Sequence, residues 1–108
     1  MPLDVHIVAK NQNIPSEYPL LGLDVDVHGA VFYGTSMNAG EYEQLSKMAD
    51  YYEDTKYVGE DLRQLIRELE QIMSKFADDK PVQEELTRFR EICTQADQQC
   101  KAVLLFAD

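Results

Sequence analysis

From residue 60 to residue 77 the chain runs without a proline or a glycine, and Leu62, Leu65, Ile66, Leu69, Ile72, Met73 and Phe76 recur with the period of a helix. A strand would scatter these residues over both of its faces, because alternate side chains point in opposite directions. An amphipathic helix gathers them on one side, so the fold must supply a surface to cover that side. Arg63, Arg67, Glu68 and Glu70 are expected on the wet face. Asp78-Asp79-Lys80 follow, and Pro81 is well placed as the first residue of a further helix. That helix carries a second stripe, Val82, Leu86, Phe89, Cys93 and Ala96. Glu84 and Arg88 stand four apart with the acid first, an order worth ~0.3–0.5 kcal/mol. The short link predicts that the two helices pack antiparallel.

Two earlier stretches alternate instead. In Leu3 to Ala9, Leu3, Val5, Ile7 and Ala9 oppose Asp4, His6 and Val8, the pattern of a half-buried strand. In Leu23 to Tyr33, Leu23, Val25, Val27, Val31 and Tyr33 oppose Asp24, Asp26, His28, Ala30 and Phe32, with Gly29 permitting a bulge. Between them, residues 10–21 hold Asn11, Asn13, Pro15, Ser16 and Pro19 and read as a loop. Asn38 with Glu41 three residues on resembles a capping box, and Leu45, Met48, Ala49 and Tyr52 predict a helix over 39–53. The run Ala-Val-Leu-Leu-Phe-Ala at 102–107 is apolar on both faces and reads as a short buried strand, with continuation of the preceding helix as the alternative.

These elements predict one domain over residues 1–108, of α/β class in an α+β-like two-layer form: a small three-stranded mixed sheet with three helices on one face. The terminal strand would lie in the middle, flanked by the two alternating ones.

The chain has 20 acids against 10 bases, a net charge of −10. Residues 1–61 carry 11 acids and 3 bases, and residues 62–108 carry 9 and 7, so the excess belongs mostly to the first half. Such a chain repels nucleic acid and anionic membranes and attracts cationic surfaces. No apolar run is long enough to span a bilayer. Met1-Pro2-Leu3-Asp4 opens without a basic stretch leading into an apolar one, and the expectation is a cytoplasmic protein. Cys93 and Cys100 on one helix would stand about 10 Å apart, too far for a disulfide. Free thiols in a reducing compartment are expected.

Two constellations bear on function. The first is Asp24, Asp26 and His28 on the second alternating strand, with His6 and Asp4 on the first. Imidazole and carboxylate together suit zinc, manganese or iron, provided the strands adjoin. A wetted strand face explains the same residues without a metal. The second runs from Asp50 to Asp61, where five acids and three tyrosines fall within twelve residues. Carboxylates pair with a partner's lysines and arginines, and tyrosine adds contact area at low entropic cost. Asp50, Tyr51, Glu53, Asp54, Tyr57, Glu60 and Asp61 are therefore the candidate partner-binding residues. A solvated turn between helices is the plainer account.

A glycine-rich phosphate loop and a Gly-x-Ser-x-Gly elbow are both missing from the sequence, so no enzyme activity and no cofactor are expected. The leading expectation is an acidic protein-binding module acting as a monomer or homodimer. One form of it is an inhibitor or immunity-type protein that occludes a basic partner such as a nuclease toxin. The alternatives are a metal-dependent enzyme or small-molecule binder using His6, Asp24, Asp26 and His28, and a homodimeric structural protein closed through the sheet face that carries Phe32.

Overall fold

A computed structural model describes residues 3–12, 19–24, 28–29, 31, 42–48 and 54–107. Its elements are β1 (Leu3–Val8), β2 (Leu21–Leu23), α1 (Glu43–Ser46), β3 (Thr55–Tyr57), α2 (Glu60–Ser74), α3 (Lys80–Gln98) and β4 (Ala102–Ala107). The fold is α+β. The sheet has four strands in the order β2-β1-β4-β3, and every pairing is antiparallel. This corrects the expected three-stranded mixed sheet. The terminal strand is internal as expected, but its neighbours are β1 and β3, while β2 lies beyond β1.

Register follows from the alternation. Leu3, Val5 and Ile7 of β1 pair with Ala107, Leu105 and Val103 of β4, and Tyr57 of β3 pairs with Val103. These side chains share one face, and it packs on the stripes of α2 and α3: Leu62, Leu65, Leu69 and Ile72 from one helix, Leu86, Phe89, Ile92 and Cys93 from the other. Each such aliphatic or aromatic side chain contributes about 1.5–3 kcal/mol when fully buried. On the opposite face, Val8, Ala102 and Leu104 form a second buried cluster, with Val58 packed against it. β4 is thus covered on both sides, as its unbroken apolar run requires.

Helix ends have identifiable causes. Asp79 caps α3, its Oδ1 accepting from the Val82 N–H at 3.4 Å, and Pro81 sits in the first turn, where its missing N–H is no loss. α3 stops because Cys100 takes the left-handed conformation at φ 57°. The Lys101 N–H then reaches the Ala96 carbonyl at 2.8 Å and the Cys100 N–H reaches Asp97 at 3.1 Å, closing a Schellman motif. Both cysteines are free, Cys93 buried and Cys100 exposed.

Two further expectations are corrected. Among the described residues, the second alternating stretch forms a strand only where it overlaps β2 (Leu21–Leu23); His28, Gly29 and Val31 are helical, and the His28 N–H bonds the Asp24 carbonyl at 2.9 Å. Leu23 pairs with Leu3, the first residue of β1, and Asp24 beyond it is no longer in a strand. The helix expected over 39–53 begins only after Tyr42, whose φ of −126° and ψ of 62° are not helical, and the described helix ends at Ser46. The Asn38–Glu41 capping pair lies outside the described residues.

Candidate functional site

The candidate surface is the corner where α1, β3 and the start of α2 meet. Gln44 organises it. The Gln44 and Leu45 N–H groups open α1 and both donate to the Glu68 carboxylate of α2, at 3.2 and 2.9 Å. Tyr42, the residue in the cap position, supplies no side-chain cap of its own, so Glu68 serves as a cap from another element. The Gln64 amide donates to the same carboxylate at 2.9 Å. The Tyr57 hydroxyl of β3 donates to the Gln44 carbonyl at 2.6 Å. The Gln44 side-chain amide donates to Asp61 Oδ1 at 3.3 Å, and its Oε1 is buried without a hydrogen-bond partner.

Glu68 is 4% exposed, which corrects its expected place on the wet face of α2. It lies three residues after Leu65 and four before Ile72, on the flank of the apolar stripe, and the orphan N–H groups of α1 satisfy its charge. Burial is also the main reason the Tyr57 hydroxyl is pushed far above its ordinary pKa, with Cys93 and the Glu68 charge adding to the effect. The phenol is therefore a fixed proton donor.

Solvent-facing acids surround this anchor. Glu43, Asp54, Glu60 and Asp61 are all exposed. Each of the last three has a local partner. Asp54 Oδ1 accepts from the Ala107 N–H at 2.8 Å and so continues the β3–β4 contact past the end of its ladder. Glu60 pairs with Arg63 at 3.2 Å, and Arg63 also reaches Asp97 at 3.2 Å, tying the start of α2 to the end of α3. Asp61 Oδ2 stands 3.8 Å from the Lys47 ammonium, with the two side chains 59% and 45% exposed. Pairs this exposed contribute about 0–1 kcal/mol and exchange readily for other ions.

Of the seven candidate partner-binding residues, Asp54, Glu60 and Asp61 lie on this corner. Tyr57 does not serve as a contact residue: it is fully buried, with its ring in the main core and its hydroxyl spent on Gln44. Its place in β3 points it toward the helices, in register with Val103. Asp50, Tyr51 and Glu53 lie outside the described residues. Gln44 and Glu68, which organise the corner, were not among the candidates. A polar residue pressed into an apolar stripe, as Glu68 is between Leu65 and Leu69, was the available signal.

The Asp/His constellation is not assembled. His6 is buried on the sheet face that carries Val8 and Leu104. Burial lowers its pKa from the usual histidine value, against a smaller opposing effect of Asp4. His28 lies on the other side of the sheet, its Nε2 donating to the Met48 carbonyl at 2.8 Å. There it lines a cavity of about 20 Å³ together with Leu23, Leu45, Leu69 and Phe89. Asp24 is exposed, and its N–H donates to Glu85 Oε1 at 3.1 Å. Asp26 and Phe32 are outside the described residues. Among the described residues no group of three or more His, Cys, Asp or Glu side chains is placed to hold a metal ion, and no helix is long and apolar enough to cross a membrane. The sheet face proposed for a dimer contact is already buried within one chain at Val8, Ala102 and Leu104.

Set against protein-family models, curated proteins and solved structures, the chain matches none of them.

Proposed function

We propose that this chain is an acidic protein-binding module whose α1–β3–α2 corner receives a basic partner. The observation that carries the reading is the exposure of Glu43, Asp54, Glu60 and Asp61 on adjoining elements of a chain with net charge −10. The corner is backed by a buried anchor, Tyr57–Gln44–Glu68, so a partner would meet preorganised carboxylates and lose less entropy in ordering them. Local cations oppose this only weakly. Lys47 and Arg63 are held by exposed pairs, and a partner's lysine or arginine can take their place. One concrete form is an inhibitor or immunity-type protein that fills the cationic active site of a nuclease. Such a site is built for phosphates, and clustered carboxylates present a similar array of anionic oxygens.

The test is the association rate with basic nucleases, measured by stopped flow as salt rises to physiological ionic strength, where the Debye length is ~8 Å. Opposed charges predict a steep fall in on-rate, with a smaller change in off-rate. Asp54→Lys combined with Asp61→Lys takes the net charge from −10 to −6 and should weaken the salt dependence. Binding that is indifferent to both salt and charge reversal would remove the reading.

A further inference from the structure

We infer that Gln44 and Asp61 form a subsite for an arginine side chain of the basic partner; the inference rests on the reading above and refines it. Gln44 is 3% exposed, yet its Oε1 has no hydrogen-bond partner. A buried amide oxygen left unpaired costs about 1–3 kcal/mol, and native folds rarely leave one without a reason. The same amide donates to Asp61 Oδ1 at 3.3 Å, a long bond. Its unmet acceptor thus belongs to a side chain already attached to an exposed carboxylate. Asp61 itself faces the Lys47 ammonium at 3.8 Å, in an exposed pair. The local demand is therefore for a firmer cation on Asp61 and an N–H donor for the amide oxygen.

Only certain chemistry meets both demands. A carboxylate or phosphate would add acceptors and negative charge. A hydroxyl would satisfy the oxygen and leave the charge. A guanidinium carries five N–H donors in a planar fork and a permanent positive charge, so one end can pair with Asp61 while the other reaches the amide oxygen. An ammonium matches the charge but lacks the fork. Reaching Oε1 requires the Gln44 amide to turn outward, which breaks the single long bond to Asp61. The backbone of Gln44 stays fixed by Glu68 and Tyr57 while this happens.

The experiment is an NMR titration of the full 15N-labelled chain with a blocked hexa-arginine peptide at low salt. The Gln44 side-chain amide and the Asp61 backbone signal should shift together and saturate. Asp61→Asn and Gln44→Leu should each weaken binding tenfold or more, Glu84→Gln on the exposed face of α3 should change it less than twofold, and hexa-lysine should bind several-fold more weakly than hexa-arginine. If Gln44→Leu disturbs α1, the Asp61→Asn variant and the wild-type amide shift decide the matter. Equal losses from Asp61→Asn and Glu84→Gln would mean diffuse screening and overturn the subsite. Saturable binding that leaves Gln44 unmoved would overturn the subsite and leave the acidic module standing. No saturable binding at all would overturn both.

Discussion

The hydroxyl of Tyr57 and the carbonyl of Gln44 meet at 2.6 Å, both in the interior, and this bond joins the edge strand β3 to the short helix α1. Four residues cannot sustain a helix alone, because the first turn fixes three residues for one hydrogen bond. α1 exists because Tyr57 holds its carbonyl side and Glu68 its N–H side. Tyr57→Phe keeps the ring in the core and leaves the Gln44 carbonyl with only the Lys47 N–H at 3.2 Å, so losing the hydroxyl's bond should cost about 0.5–1.5 kcal/mol. Urea unfolding should show a lower midpoint with an unchanged slope. An unchanged midpoint would mean that water replaces the hydroxyl.

Cys100 should be replaceable to advantage. It is not a glycine, yet it stands at φ 57° in the Schellman position after α3. A left-handed residue with a Cβ costs roughly 1–2 kcal/mol, offset in part by the greater freedom glycine has in the unfolded chain. Cys100→Gly is expected to stabilise the fold by about 0.5–1 kcal/mol, read as a raised urea midpoint, while Cys100→Val should destabilise it.

What could be read in the sequence was what one element reveals about its own burial. The stripes of α2 and α3 and the two-faced run of β4 each carry enough residues for a period or its absence to show. β3 could not be read, because Thr55–Tyr57 is too short to show alternation and sits among charges. Alternation persists past Leu23, so the pattern alone extends the second strand to His28, Gly29 and Val31, which are helical. Local periodicity puts Glu68 on the wet face, because a cap supplied to another element leaves no mark in it. The end of α3 was hidden because the stop residue is a cysteine. For the candidate site, the exposed acids followed from composition, whereas the burial of Tyr57 and the central place of Gln44 depend on contacts between elements far apart in sequence.

The cavity beside Phe89 sets the size of a core substitution. Phe89 is fully buried between α3 and the sheet, and the void of about 20 Å³ next to it shows that the surrounding side chains do not close up completely. Phe89→Ala would enlarge a space already present, and a cost of roughly 3–5 kcal/mol is expected. Val31→Ile would place one more methylene against the same void and should gain up to about 0.8 kcal/mol. Thermal unfolding of the two variants should shift in opposite directions. A destabilised Val31→Ile would show that the walls are rigid at that point.

His6 and Glu85 should give the stability curve two opposing contributions with pH. Burial holds the pKa of His6 below 6.5, so between its folded pKa and 6.5 the unfolded chain binds more protons than the folded one. Stability from His6 is therefore complete above pH 6.5 and is lost as pH falls toward the folded value. Glu85 behaves in the opposite sense. Its Oε2 is buried without a partner, and desolvation is the main reason its pKa lies above 4.5; the Asp24 charge adds to the rise and the Asp24 N–H bond reduces it. Here the folded chain holds the extra proton, so the contribution is complete below pH 4.5 and is lost as pH rises through the folded pKa. Glu85→Gln removes the charge and keeps an oxygen for the Asp24 N–H. Its stability relative to wild type should climb from pH 4.5 upward and then level off, whereas His6→Leu should flatten the wild-type decline just below pH 6.5. Urea midpoints taken at half-unit pH steps check both, and the relative slopes decide the outcome whatever each substitution does to the absolute midpoint. A Glu85→Gln difference independent of pH would show that Glu85 titrates alike in the folded and unfolded chain.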